Sequence, residues 1–311
     1  MSFSFSDFSS ALKDGAAISA RDVLAIRRAV WPDGAVARNE AESLFELHRL
    51  AGRHGPEWGE LFIEAITDTA LNSTEPFGYV DEDTASWLIG QLDRDGRPIG
   101  PVELELVVKI VEKALNAPAS LKAWALARIE RCVLDGEGAT RRDGEIRPGV
   151  VDEAEVSLLR RLVFASGGDG ALLVSRDEAE MLWRLKDSTL GAANAPGWGK
   201  LFVQAVGNHL MAHSSYRPLE RGEASRLEAF MNDRRVSVFG LLSRMRRPDF
   251  QGAAKAFERQ GESAGDHDSA VRAAATVTPM ENVWLQFNMA RDQKRDELEE
   301  ALIRFLEEES E

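Results

Sequence analysis

Six carboxylates lie in or shortly after Asp-Gly turns, and their type and spacing suit a divalent cation. They are Asp33, Glu40, Asp95, Glu103, Asp169 and Glu178. Carboxylate oxygens are the hard ligands that Ca²⁺ and Mg²⁺ prefer. The pattern therefore suggests that the fold brings acids from separate turns together to bind a metal. A divalent cation is the only cofactor that the sequence suggests. The alternative is that each acid caps a helix at a helix-turn-helix corner.

None of these turns is a complete EF-hand calcium loop. If Gly34 takes the glycine position of such a loop, the first and third ligand positions fall on Ala29 and Trp31, which have no side-chain oxygen. Around Gly96 the early positions are better, but Val102 stands where the bidentate glutamate is required. Calcium binding of the EF-hand type is therefore not predicted.

Histidine offers one pair with ligand spacing. His209 and His213 are four residues apart in a segment that is predicted to be helical, so both lie on one face. The aligned positions of an internal repeat, described below, are Thr69 and Ser73. Because the pair belongs to one copy alone, a surface or partly buried pair is favoured over a metal site.

The sequence has no other motif of known catalytic chemistry. Cys132 is the only cysteine, so an internal disulfide and a multi-thiolate zinc site are both excluded, and its apolar surroundings predict a core position. We find no glycine-rich phosphate loop, nucleophile elbow or dinucleotide fingerprint. A hydrolase or lyase of unrecognised type would need a deep pocket where carboxylates and histidine converge, so a non-enzymatic protein is favoured.

Charge and hydropathy restrict the partners. The 311 residues carry a formal net charge of -14, which argues against binding to nucleic acid or to anionic membranes in general. No run of apolar residues is long enough for a transmembrane helix, and the N-terminus does not resemble a secretory signal. We therefore expect a soluble cytoplasmic protein.

An internal repeat is the main feature of the elements that carry these residues. Its segments recur in the same order, and the matches include paired tryptophans and paired glutamates. The matching segments are Ile18 to Trp31 with Val151 to Phe164, Glu40 to Leu47 with Glu178 to Leu185, and Pro56 to Ile66 with Pro196 to Val206.

A second set of matches overlaps the first. Val80 to Ile110 resembles Val277 to Leu306, and it pairs Trp87 with Trp284 and Glu103 with Glu300. A weaker copy of this unit begins at Glu223. Large residues that recur at one position usually fill the same gap in the core, so we expect the tryptophans to be packing residues rather than a ligand platform.

Apolar residues recur at helical spacing throughout, and no run alternates with the period of a strand. The sequence predicts an all-α protein with a duplicated helical bundle. The predicted divisions are an N-terminal tail (1–17), a first helical domain (18–135), a linker (136–150), a second helical domain (151–258), a flexible linker (259–276) and a C-terminal helical unit (277–311).

The turn that reads Asp33-Gly34-Ala35-Val36, with Glu40 four residues later, resembles the turn of the tellurite-resistance TerB-like proteins. The resemblance implies small helical bundles with internal pseudo-symmetry, and it implies acidic sites for divalent metals. The C-terminal tryptophan unit is also similar to helical ends found near such domains.

These features predict that the chain is a non-enzymatic cytosolic protein-interaction or sensor module with a protein partner. Whether it forms homo-oligomers stays open. The alternative is a divalent-metal-binding protein. The segment from Val236 to Asp249 combines apolar residues with three arginines, so it is the best local candidate for a partner contact, against ordinary docking on the chain's own acidic surface.

Overall fold

In a computed structural model the chain is helical throughout the part that the structure describes. Described residues are 5–31, 34–51, 54–72, 75–141, 148–165, 173–211, 279–289 and 296–310. Within these ranges the helices are α1 (Phe5–Lys13), α2 (Ala20–Val30), α3 (Arg38–Leu50), α4 (Pro56–Asn72), α5 (Glu82–Leu92), α6 (Pro101–Lys113), α7 (Ala119–Asp135), α8 (Glu153–Val163), α9 (Arg176–Ser188), α10 (Gly197–Met211), α11 (Pro279–Met289) and α12 (Glu297–Ser310).

The all-α prediction is confirmed, since the described residues contain no strand and only one isolated bridge, between Tyr79 and Asn116. None of the described helices has both the length and the apolar character needed to cross a membrane.

Local sequence sets where several helices begin and end. A capping box is present at the start of α9: Ser175 accepts the backbone N–H of Glu178, and Glu178 accepts that of Ser175 at 2.7 Å. Helix α7 ends at Gly136, whose left-handed φ of 70° closes the helix without the strain that a side chain would cause.

In the first group of described helices, α1–α6, the central helix is α4. Helices α2, α3 and α6 all contact α4, and α1 lies on α3. Phe5 and Phe8 of α1 pack against the core, so part of the predicted N-terminal tail is a docked helix.

In the second group of described helices, α7–α12, the central helix is α10, which contacts α8, α9 and α12. Helix α7 lies on α9 and α8, and it also contacts α5 and α6. The buried side chains of all these helices form one continuous apolar core. The predicted domain that ends at residue 135 is thus packed directly against the helices that follow it.

Two arginines, half-buried Arg161 and buried Arg141, also hold α8 to neighbouring parts of the chain. Arg161 on α8 makes paired hydrogen bonds of 2.7–2.8 Å with Glu105 and Glu112, both on α6. Arg141, in the predicted linker, is buried against Glu155 of α8 at 2.7 Å. The described part of that linker is therefore held to the core by an ion pair.

Candidate functional site

A cleft of about 640 Å³ opens where α3 and α5 end and α4 and α6 begin. We call it the His48 cleft. Its polar lining includes His48, Arg49, His54, Gln91 and Glu103, and its apolar lining includes Ile63, Ile99 and Val102. Four helix ends thus place titratable side chains beside an apolar wall, which is the usual composition of a ligand site.

His48 sits on the floor of the cleft and uses both ring nitrogens. The indole N–H of Trp58 donates to Nδ1 of His48 at 3.0 Å, and Nε2 of His48 lies 3.2 Å from Oε1 of Glu103. An indole N–H can only donate, so Nδ1 is the acceptor and the ring proton of neutral His48 is on Nε2, facing Glu103. Both Trp58 and the His48 side chain are almost fully buried.

Glu103 is held as a carboxylate by its hydrogen bonds. Burial by itself would raise its pKa, but the contact with His48 and the backbone N–H of Gly100, which donates to Oε2 at 2.7 Å, outweigh burial and lower the pKa. The Glu103 carboxylate is therefore ionised at neutral pH and fixes the orientation of the His48 ring.

His54 lies at the side of the cleft, with its ring centre 5.0 Å from that of His48. Burial lowers the pKa of His54, and the neighbouring His48 ring lowers it further. Two imidazolium ions at this distance would repel each other.

Lys186 stands in the second half of the chain where the sequence alignment pairs it with His48. Its ammonium group is fully buried and contacts Asp296 and Glu299 at 2.6 Å each. A lysine has no acceptor for an indole. Trp198, which aligns with Trp58, correspondingly has a buried N–H that finds no hydrogen-bond partner in the structure.

This contrast predicts different costs for the same substitution at the two tryptophans. Trp58→Phe and Trp198→Phe both remove part of a buried ring, but only Trp58→Phe leaves the buried Nδ1 of His48 without its donor. We expect Trp58→Phe to lower the free energy of unfolding by about 1–2 kcal/mol more than Trp198→Phe does. Urea unfolding of the two variants measures the difference, and equal losses would contradict the bonding pattern.

Three of the predicted metal ligands occupy the same place in different helices. Glu40, Glu103 and Glu178 are each the third residue of their helix, and each accepts a backbone N–H from the residue before the helix begins. Asp95 instead accepts from Arg97 in the α5–α6 turn, and this contact lowers the pKa of Asp95. In the described residues these acids are distributed over separate helix starts.

Asp33 and Asp169 lie outside the described residues. Across the ranges that the structure describes, no three His, Cys, Asp or Glu side chains group together so that they would hold a metal ion. The metal site stays a prediction.

The other candidates have structural contacts where they are described. Nδ1 of His209 lies 3.0 Å from the carbonyl oxygen of Val174, and its ring packs edge-on against Trp284. His213, the segment from Val236 to Asp249 and the weak repeat at Glu223 lie outside the described residues. Cys132 is buried, as predicted.

Sequence reasoning did not single out His48. The available signal was its alignment with Lys186, since a side chain that can carry a positive charge stands at this position in both copies. Comparisons with protein-family models, with curated proteins and with solved structures found no match to this chain.

Proposed function

We propose that the chain consists of two copies of a six-helix unit of the TerB-like kind, α1–α6 and α7–α12. Helix lengths support this: α2 and α8 have 11 residues each, α3 and α9 have 13 each, and α5 and α11 have 11 each. Helix contacts support it too, since α4 and α10 take the same central place, and α1 lies on α3 as α7 lies on α9.

Aligned side chains also make the same contacts. Trp87 donates its indole N–H to Glu42 at 3.2 Å, and Trp284 donates to Glu180 at 3.3 Å. The ring centres of Trp87 and Phe45 are 5.8 Å apart, and those of the aligned pair Trp284 and Trp183 are 5.7 Å apart. Two unrelated bundles would not be expected to share such specific pairs.

We infer that the protein is a cytosolic interaction module and that the His48 cleft is its recognition site. The observation that carries this inference is the state of His48: its two nitrogens are both engaged inside the protein, so neither is free to move a proton to or from a substrate. A large cleft whose central histidine is engaged on both nitrogens fits binding better than catalysis. The buried free thiol of Cys132 fits a reducing compartment.

The lining of the cleft favours a protein segment as its occupant. Ile63, Ile99 and Val102 provide a partly buried apolar wall for an aliphatic anchor. Buried Arg49 Nη1 and Gln91 Oε1, on the same cleft, have no hydrogen-bond partner in the structure, and a peptide carries both donors and acceptors. The net charge of -14 favours a segment that also carries lysine or arginine.

Site-specific photo-cross-linking tests this function. A photoreactive residue at Ile99 is expected to capture a discrete protein partner in cells, whereas the same residue at exposed Leu190, away from the cleft, is not. With the purified partner, Ile63→Glu is expected to weaken binding by about tenfold or more, because it places a charge against the anchor. Binding should also weaken as salt concentration rises.

Equal capture at Ile99 and Leu190 would argue against the cleft as the binding site. Pull-down and sizing experiments that show neither a partner nor self-association would contradict the interaction function altogether.

A further inference from the structure

Helix α6 joins the two halves of the chain. It contacts α4 in its own half, and α7 and α8 in the other half. Three of its apolar residues recur at helical spacing on the side away from α4, and each is at most 1% exposed: Leu104, Val108 and Val111. They lie beside Glu105 and Glu112, the two acids that bind Arg161 of α8. This side of α6 is therefore the surface on which the second half docks.

Helix α12 occupies the place of α6 in the second half. Val102 of α6 packs against Gly59 of α4, and Leu298 of α12 packs against Gly199 at the aligned position of α10. In this register the glutamates that stand third in each helix are aligned as well. The side of α12 that corresponds to the docking surface of α6 can therefore be identified residue by residue.

The outer face of α12 has charged residues where α6 has its three buried apolar ones. All three are exposed: Glu300, Arg304 and Glu307. The inner side of α12 keeps its apolar character, since Leu302 and Leu306 pack into the core. The exchange of apolar residues for charges thus falls on the side that would receive a further half.

Helix α2 occupies the place of α8 in the first half, and its matching surface is only partly kept. Exposed Arg28 stands at the position of Arg161. Ala25 and Ala29, however, stand where α8 has leucines that pack into the core. A second copy that docked here would find the positive charge but less apolar surface.

We propose that the outer face of α12 blocks head-to-tail docking of a second copy of this chain. Such docking would place α12 of one copy against α1 and α2 of the next, as α6 lies against α7 and α8. It would bury three charges where the interface between the halves buries three apolar side chains. Buried charges without partners oppose association, and stacked helical units commonly end in a polar face for this reason.

This inference rests on the proposed two-copy arrangement but not on the His48 cleft as a recognition site. It leaves the cleft, rather than the docking surface between halves, as the place for a partner. Cross-linking at Ile99 reports on the cleft, whereas the mass of the purified chain reports on α12, so each can fail without the other. Superposition of the two halves in a crystal structure would test the two-copy arrangement by itself.

Analytical ultracentrifugation of the full chain tests the outer face of α12. We expect the wild type to sediment as a monomer at concentrations up to about 100 μM. The triple variant Glu300→Leu, Arg304→Val, Glu307→Val gives α12 the outward residues of α6. We expect it to form assemblies whose mass grows with concentration and is not limited to the dimer, because a head-to-tail interface does not close on itself.

Arg28→Glu is the control for the mode of docking. Its carboxylate would face Glu308, which stands in α12 where α6 has Glu112. Adding Arg28→Glu to the triple variant should therefore weaken assembly by about tenfold or more. An equimolar mixture of this quadruple variant with the wild type should still form a heterodimer, because the wild type supplies an unaltered α2 and the variant supplies an unblocked α12.

Three results would overturn the proposal. The first is a triple variant that keeps the helical circular dichroism of the wild type and stays monomeric at about 100 μM. The second is a wild-type chain that assembles and loses this assembly on Arg28→Glu. If the triple variant does not fold, Arg304→Val removes the central charge alone, and association no stronger than that of the wild type is the third.

Discussion

Replacement of Lys186 by methionine is expected to lower the free energy of unfolding by about 3–5 kcal/mol, the usual cost of breaking a buried ion pair from one side. The Lys186 side chain is fully buried and holds three carboxylates, Asp187, Asp296 and Glu299. Methionine fills a similar volume but leaves the buried Glu299 carboxylate without its cation. Because Asp296 and Glu299 belong to the start of α12, the loss should also loosen that helix from α9 and α10.

Two opposing effects act on the Glu299 carboxylate: burial and the Lys186 cation. Burial raises the pKa of Glu299 in spite of its contact with Lys186, so the carboxylate is ionised at a cost that the ammonium group offsets. Without Lys186, the pKa of Glu299 is expected to rise further, because burial then acts without the cation. The defect of Lys186→Met should therefore be smaller at pH 5 than at pH 8.

Urea unfolding measures this loss, with Lys109→Met as the matched control. Lys109 is 40% exposed and lies 3.9 Å from Glu112 in a surface pair, so its replacement should cost no more than about 0.5 kcal/mol. A loss below about 1 kcal/mol for Lys186→Met would mean that the buried cluster does not hold α12 in place.

Replacement of Arg141 by methionine is the second substitution with a large expected effect, again about 3–5 kcal/mol. The Arg141 guanidinium is 2% exposed and donates to Glu155 and to the carbonyl oxygens of Cys132 and Val150. It therefore ties the end of α7 to the start of α8. Removing it takes the cation from the buried Glu155 carboxylate and one donor from each of the two carbonyl oxygens.

The loss at Arg141 should depend on pH in a defined direction. Burial raises the pKa of Glu155, although Thr140, the backbone N–H of Asp152 and Arg141 act against burial. In Arg141→Met the carboxylate loses its cation, so a proton is expected to bind it and remove the unpaired charge. Stability of the variant relative to the wild type should rise as pH falls from 8 to 5.

Arg131→Met is the control, since Arg131 is 69% exposed and pairs with Asp135 at 3.6 Å on the same helix. It should change stability by no more than about 0.5 kcal/mol. A second variant, Arg141→Met with Glu155→Leu, should recover part of the loss, because no buried charge then lacks a partner. An Arg141→Met protein as stable as the wild type would show that α7 and α8 are joined by apolar packing alone.

Helical periodicity was enough to predict the all-α fold. For Glu40 and Glu178, helix capping was predicted as the alternative to metal binding. These features are local, so a sequence can display them. The sequence match pairs Glu103 with Glu300, whereas the acid that sits third in α12 and accepts the N–H of Asp296 is Glu299. The α11–α12 connection is one residue shorter than the α5–α6 connection, and an ungapped alignment cannot show this.

Long-range contacts account for what the sequence did not predict. Trp58 contacts His48 across a helix corner. His48 contacts Glu103, which lies 55 residues farther along the chain. Nothing in the spacing of these three residues marks them as neighbours. Helix α7 packs on both groups of helices. Composition alone could not distinguish two separate domains, divided at residue 135, from one continuous core.

Hydrogen–deuterium exchange of the chain with its cross-linked partner is the most direct test of the His48 cleft as the recognition site. We expect the partner to slow exchange in the cleft segments 45–51, 54–63 and 91–105, and to leave the aligned segments 183–189 and 197–203 of the second half unchanged. Slower exchange confined to segments outside the cleft would contradict the proposed site.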